Sequence, residues 1–270
     1  MCDIGIHVIT EAIERSNSLW PQIDGLVEYI STDRYLLNFS DDRHHFSNRV
    51  SLAKLTEANA ESTIHEIIDF YRKRKLDFIW VIGPNSTPGN LAQYLECNEF
   101  IPVSPSDGLY MSNLKEYNMA ETDFRISEIP IVEDAATIRI MAEGFEMPME
   151  SSVKFHRTLF LMKEKIRLRT YAALMDGVDE PVGCAFSTYY PDLPIALLSG
   201  ATTLPEFRGR GMYRALLQKR INDVIGDSIK AVIVMADQRS SAPICHKFGF
   251  TKACELFIYK YCFDENNRDE

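Results

Sequence analysis

Apolar and polar positions alternate along this chain in short runs of changing period. FRISEIPI (124–131) alternates with period two and predicts a strand. VEDAATIRIMAEGFEMP (132–148) carries acids in its first turn and ends at Pro148, which predicts a helix. SSVKFHRTLFLMKEK (151–165) predicts a second helix. Three strand-like runs come next, LRTYAALMD (168–176), PVGCAFSTYY (181–190) and IALLSGATT (195–203), joined by the hairpin-type turns DGVDEP and PDLP. In RGMYRALLQKRINDVI (210–225), Met212, Leu216, Leu217, Ile221, Val224 and Ile225 keep helical spacing. AVIVMAD (231–237) is a bare apolar run, the pattern of a strand buried on both faces. A short helix around SAPICHKF (241–248) and a strand ACELFIYKY (253–261) close the order.

The first half repeats part of this order. RVSLAKL (49–55) is strand-like, ESTIHEIIDFYRKRK (61–75) helical, DFIWVIG (77–83) a buried strand, TPGNLAQYLECNEF (87–100) a short helix and GLYMSNL (108–114) a strand. DFIWVIGPNSTPGNLAQYLECNEF and AVIVMADQRSSAPICHKFGF share one plan: apolar strand, polar turn, Pro, short helix, closing aromatic. The repetition predicts two domains related by distant duplication; two unrelated α/β halves are the alternative. The polar stretch KEYNMAETDF (115–124) marks the boundary. The expected division is 1–120, 121–264 and an acidic tail over 265–270, read as mobile.

With 46% hydrophobic and 25% charged residues, the composition is that of a soluble globular protein. A net charge of −10 argues against a nucleic-acid partner, which needs a basic surface. The longest clean apolar run, AVIVMA (231–236), is far short of a membrane span. The start, MCDIGIHVITEAIERSN, lacks the basic and apolar regions of a signal peptide. The six cysteines, at 2, 97, 184, 245, 254 and 262, form no CxxC pair. Cys184, Cys245 and Cys254 sit in apolar contexts and read as buried free thiols, which suits a reducing, cytoplasmic compartment. His44 and His45 lack metal-ligand context, and no metal is expected.

One stretch breaks the acidic trend. TTLPEFRGRGMYRALL (202–217) places Arg208, Gly209, Arg210, Gly211 and Arg214 between a strand and a helix. A helix N-terminus offers free N–H groups and the positive end of the dipole. Glycines let the backbone approach a ligand closely, and arginine forks suit phosphate. The stretch lacks the GK[ST] of a Walker loop and the third glycine of GxGxxG. It reads as a diphosphate cradle. The first half has no counterpart of RGRG: its stretch IGPNSTPGN (82–90), a Gly-Pro turn and a helix start, has no Lys or Arg and reads as a tight turn capped by Ser86 or Thr87.

The strand, Pro-Glu-Phe-Arg-Gly-Arg-Gly, a helix with Ala-Leu-Leu, a strand and a short helix ending Lys-Phe-Gly-Phe together resemble the GNAT acyltransferase superfamily, over roughly 124–262. The resemblance implies an α/β fold of two GNAT-like domains, each a mixed, mostly antiparallel central sheet flanked by helices. It implies a sheet splayed between its fourth and fifth strands to admit acetyl-CoA. Backbone groups at Ala201 and Thr203 would then hold the pantetheine arm. Backbone amides of Arg208, Gly209, Arg210, Gly211, Met212, Tyr213 and Arg214 would hold the diphosphate. Gln238 falls at the family's fifth-strand Asn position. Tyr213 stands where the motif has a small residue, so its ring is expected to turn aside. Cys245 stands where the family often has the Tyr that protonates the departing thiolate; a thiol of pKa about 8.5 can donate, or the residue can be plain packing.

The implied reaction is direct attack of an amine on the thioester, with the amine in a small molecule or a protein. The base is left open between a water chain and Glu143, Glu146 or His156, since IALLSGATT contains no carboxylate. His246, next to Cys245, would point about 100° away on a helix and forms no dyad. The first domain is read as a GNAT-like half without its cofactor loop, a tandem layout similar to that of mycothiol synthases, giving one site per chain and a plausible monomer. Two other functions stay open: a CoA-binding sensor or scaffold with little turnover, and a purely structural pseudodimer.

Overall fold

The computed structural model describes residues 4–118, 123–131 and 134–263. In chain order the elements are α1 (Ile6–Arg15), β1 (Glu28–Ser31), β2 (Leu36–Phe39), β3 (Arg49–Ser51), α2 (Ala60–Arg74), β4 (Phe78–Ile82), α3 (Leu91–Cys97), β5 (Ile101–Pro102), β6 (Ser106–Met111), β7 (Phe124–Ile129), α4 (Ala135–Gly144), α5 (Met149–Met162), β8 (Leu168–Met175), β9 (Gly183–Tyr189), β10 (Ile195–Thr203), α6 (Met212–Ile225), β11 (Ala231–Asp237), α7 (Ala242–Lys247) and β12 (Thr251–Tyr261). The expected tail over 265–270 and part of the expected boundary lie outside the described residues.

The chain forms two compact units, and neither is a continuous stretch. One gathers Thr10–Gly108, Ala236–Pro243 and the residues from Lys252 onward; the other gathers Leu109–Met235, Ile244–Thr251 and the residues up to Ile9. The last strand therefore joins the first half: β12 runs antiparallel to β4, from Phe257↔Ile82 to Tyr261↔Phe78. The reason is aromatic packing. Tyr259 and Tyr261 enter the core that holds Phe78, Trp80 and Phe100, with the Tyr261 ring 5.6 Å from Phe78 and 5.0 Å from Phe100.

In this first unit β1–β2–β3 are antiparallel neighbours, β3 and β4 are parallel, and β4 and β12 antiparallel. Helix α2 turns Ile64, Ile67, Ile68 and Tyr71 onto the sheet, where they meet Val50, Phe78 and Trp80. The buried Tyr71 hydroxyl donates to the carbonyls of Asn38 (2.7 Å) and Arg49 (3.0 Å). Lys75 ends the helix in the left-handed region at φ 57°, after Arg72, Lys73 and Arg74 complement the dipole.

In the second unit β7–β8–β9–β10 are successive antiparallel neighbours, and β10 and β11 are parallel. Helix α6 buries Met212, Leu216, Leu217, Ile221 and Val224 of the six positions read from the sequence, while Ile225, at its last turn, is exposed; Leu216 packs against Tyr171 and Ala185. Asp134 caps α4, accepting from the N–H groups of Ala136 and Thr137, both at 3.1 Å. Each unit thus repeats one plan: an antiparallel pair whose second strand leads through a helix to a parallel neighbour, β2–β3–α2–β4 and β9–β10–α6–β11.

Candidate functional site

The parallel pair of the second unit opens early. β10 and β11 pair at Ile195↔Ala231, Ala196↔Val232 and Leu197↔Ile233, and no further. Beyond Leu197, β10 keeps its β9 partner to Thr203↔Gly183, with a register shift between Ser199 and Thr202. That shift is a bulge: one extra residue on β10. Gly200 sits in it at φ 58°, and a Cβ there would lie 1.7 Å from the Phe186 ring, so only glycine fits. Ser199, Gly200 and Ala201 are the partly exposed positions of a strand otherwise buried, Thr203 included.

The loop after β10 faces open space. A 3-10 turn, Pro205–Phe207, ends at the extended Arg208. Gly209 and Gly211 adopt φ 78° and 87°, and a Cβ at either would meet nothing within 4 Å. Gly211 begins α6 with no side-chain cap, and the positive end of the helix dipole lies there. The three arginines divide their work. Arg208 Nη2 donates to Gly144 O (2.9 Å) and its Nε to Thr203 O (3.3 Å), tying the end of α4 to the end of β10. Arg210 lies 3.8 Å from Asp123 and over the Phe207 ring, and Arg214 lies over Phe248. All three are exposed, while Met212 is buried.

The two departures from the expected motif meet. The Tyr213 ring has turned toward α7, and its hydroxyl lies 3.6 Å from Cys245 Sγ. Cys245 is fully buried. Burial pushes its thiol pKa up, while the Tyr213 hydrogen bond and the Arg220 charge pull it down. His246, its neighbour in sequence, is exposed. Sequence reasoning missed Arg220, which is 1% exposed and lies close enough to Tyr213 and Cys245 to interact with both; its position four residues after Leu216 and four before Val224, on the apolar stripe of α6, was the signal that could have found it.

The other candidates are engaged elsewhere. Gln238 donates from Nε2 to Asp107 Oδ1 (2.8 Å) and to Glu255, a pair of carboxylates that sequence reading did not single out. Lys252 also reaches Asp107, at 2.7 Å. Glu143 is paired with Arg139 at 2.7 Å, Glu146 is exposed at φ 55°, and His156 of α5 is buried. Cys184, Cys245, Cys254 and Cys262 are buried free thiols. Among the described residues no cluster of three His, Cys, Asp or Glu could hold a metal, and no helix is long and apolar enough to cross a membrane.

The first unit has the same opening in closed form. β3 and β4 pair at Arg49↔Ile79 and Val50↔Trp80, then rejoin at a bridge between Lys54 and Thr87. Thr87 seals it: its N–H donates to Ala53 O (3.0 Å) and its hydroxyl to Leu55 O (2.8 Å). A small cavity there is lined by Ser51, Leu52, Val81 and Gly83 together with Ile13 and Glu14 of α1, and Glu14 packs so close that a Cβ on Gly83 would lie 2.3 Å from its Oε1. The buried Glu14 carboxylate accepts from the Asn85 N–H (3.1 Å) and from the Asn85 side-chain amide. The Ser86 hydroxyl accepts from the Gly83 N–H at 3.0 Å, as the turn composition predicted.

No family model matches the sequence, and no curated protein matches it. Solved structures do. The chain is similar to a GCN5-related N-acetyltransferase from Kribbella flavida, with TM-score 0.70 at 13% identity, covering 100% of this chain and 99% of that one. A tandem GNAT protein from the clavulanic acid biosynthesis pathway matches with TM-score 0.61 at 10% identity, over 95% of this chain and 94% of that one. A GCN5-related N-acetyltransferase from Sphaerobacter thermophilus matches with TM-score 0.60 at 14% identity, over 84% and 76%.

Proposed function

We propose, from the premise that this chain carries the tandem GNAT fold, that it is an acyl-CoA-dependent N-acyltransferase with one acyl-CoA site, in the unit that holds β7 to β10 and α6. The observation that carries the reading is the joint occurrence, in one unit, of parallel strands that stop pairing after Leu197 and an uncapped glycine-rich helix start with open space before it. The residues present fit a diphosphate: two glycines at positive φ, a helix start with no side-chain cap and exposed arginines.

In this reading the backbone at Ala201 and Thr203 holds the pantetheine arm, and the amides from Arg208 through Gly209, Arg210, Gly211, Met212 and Tyr213 to Arg214 hold the diphosphate. Arg210 and Arg214 add charge. Arg208 acts mainly by fixing the loop, because its fork already bonds two carbonyls. Acetyl-CoA supplies an activated acyl carbonyl when bound. Tyr213 Oη and Cys245 Sγ form a proton-holding pair at the start of α6, with the hydroxyl on the more exposed member. The acceptor is an amine of a small molecule or a protein, and a cytoplasmic setting suits the buried free thiols.

A second reading, a CoA sensor or scaffold, is favoured by the state of the base candidates: Glu143 is ion-paired and His156 is buried. One experiment addresses both. The full chain is titrated with acetyl-CoA by calorimetry, then incubated with acetyl-CoA and a pooled amine library while free thiol is followed. Binding with amine-dependent thiol release supports the enzyme. Binding without release favours the sensor. No binding sinks both.

A further inference from the structure

Arg220 is an expensive residue to bury. It lies on α6 eight positions after Met212 and is 1% exposed. None of its bonds goes to an acid. Nε donates to Leu216 O at 3.1 Å, and Nη1 donates to Phe186 O at 3.3 Å and to Ser199 O at 3.2 Å. Its electrostatic neighbours are the phenols of Tyr213 and Tyr171 and the thiols of Cys245 and Cys184, all weak acids. A guanidinium removed from water without a carboxylate carries a large desolvation cost, and an apolar side chain of similar volume would fill the same space without it.

The bonds it makes show what the charge is used for. Phe186 and Ser199 are partners directly across β9 and β10, and theirs is the last regular pair before the bulge. One nitrogen spans both carbonyls at that point. From there β10 has lost β11 as a neighbour and carries one residue too many for β9. A strand segment with a free edge and a shifted register has the fewest backbone bonds to define it. The guanidinium supplies the restraint that β11 does not.

We propose that Arg220 is a positioning residue: its guanidinium clamps β9 to β10 at Phe186 and Ser199 and so holds the Gly200–Ala201 bulge in the form that receives acyl-CoA. The proposal rests on the acyl-CoA reading above for the identity of the ligand, and on geometry alone for the clamp. It deepens that reading by placing a determinant of the wedge on the helix, two turns from the cradle.

The test uses the full chain carrying Arg220→Met or Arg220→Lys, with two readouts. Amide hydrogen exchange by mass spectrometry compares peptides covering 198–203 with peptides covering 78–82 in β4. Calorimetry measures acetyl-CoA affinity. For Arg220→Met, exchange over 198–203 should rise by about tenfold or more with 78–82 unchanged, and acetyl-CoA should bind about tenfold more weakly. Arg220→Lys, which keeps the charge but loses the fork, should fall between. Unchanged exchange over 198–203 overturns the clamp, and so does acceleration shared equally by 78–82. Faster exchange with unchanged acetyl-CoA affinity overturns the positioning role. If Arg220→Met does not fold, Arg220→Lys is judged by the same criteria. A wild-type chain that fails to bind acetyl-CoA removes the functional reading, and the exchange comparison still decides the clamp.

Discussion

β3 and β4 in one unit, and β10 and β11 in the other, both begin as parallel neighbours and both part after two or three residue pairs. Past the point of parting the two units differ. In the first unit the chain closes again at Lys54 and Thr87, and Glu14 packs against Gly83 and Asn85 just beyond β4. In the second unit β10 bulges, and the loop beyond it opens through Gly209 and Gly211. The glycines show the contrast most directly. A Cβ on Gly83 would lie 2.3 Å from Glu14 Oε1, whereas one on Gly211 would touch nothing within 4 Å. A parted pair of strands is therefore not by itself a binding site. In the reading proposed above, the second opening differs because the loop beyond it faces open space.

Four substitutions probe that contrast. Gly200→Ala should do the most damage: a positive φ and a contact 1.7 Å from Phe186 should together cost about 3 kcal/mol, read as a lowered Tm with acetyl-CoA binding lost. Gly211→Val puts a β-branched residue at φ 87° and should weaken acetyl-CoA binding about 100-fold by calorimetry while the Tm drops only a few degrees. The contrasting variant in the first unit is Gly83→Ala, just after β4, which displaces Glu14 from Asn85. It should cost about 1–3 kcal/mol of stability and leave acetyl-CoA affinity within about twofold. A comparable affinity loss in both glycine variants would mean that the two openings are not functionally distinct.

The smallest effect concerns Asp227. Burial alone would raise its pKa, but hydrogen bonds from Arg167 and Tyr189, with the charges of Arg169 and Arg167, hold it below the ordinary carboxylate range. A carboxylate lowered in the folded state stabilises above its unfolded pKa and loses that contribution as pH falls through the folded value. Asp227→Asn should therefore lower stability by about 1 kcal/mol or less at pH 7, with the difference from wild type vanishing as pH falls through the folded-state value. Acetyl-CoA affinity should not change. A change would mean that the far end of α6 is coupled to the cradle, and that the contrast between the units does not rest on local geometry alone.

Much of the second unit was legible because its elements announce themselves locally. The runs at 195–203, 212–225 and 231–237 carry their own periodicity, and the glycines at 209 and 211 mark a loop that no helix or strand favours. The first unit was less legible. α1 was left unassigned, and with it Glu14, because a carboxylate in a helix looks the same whether it meets water or a gap between strands. Arg220 is a different case: the spacing of α6 places it on the buried stripe, but the carbonyls it bonds are on β9 and β10, more than twenty residues away along the chain. The contact between Tyr213 and Cys245 needed the two helices in place. The sequence marked both residues as departures, and only the fold makes them partners.

The placement of β12 bears on how the protein is made. Phe257 pairs with Ile82 and Tyr261 with Phe78, so the sheet of the first unit draws its last strand from the far end of the chain. On a ribosome, β1 to β4 emerge long before that strand exists. The aromatic face formed by Phe78, Trp80 and Phe100 must wait, with the β4 edge open, while residues 109–251 are synthesised. During that interval the nascent chain presents an unpaired edge and apolar rings, the kind of surface that chaperones cover. Expressing residues 1–120 alone would make that interval permanent.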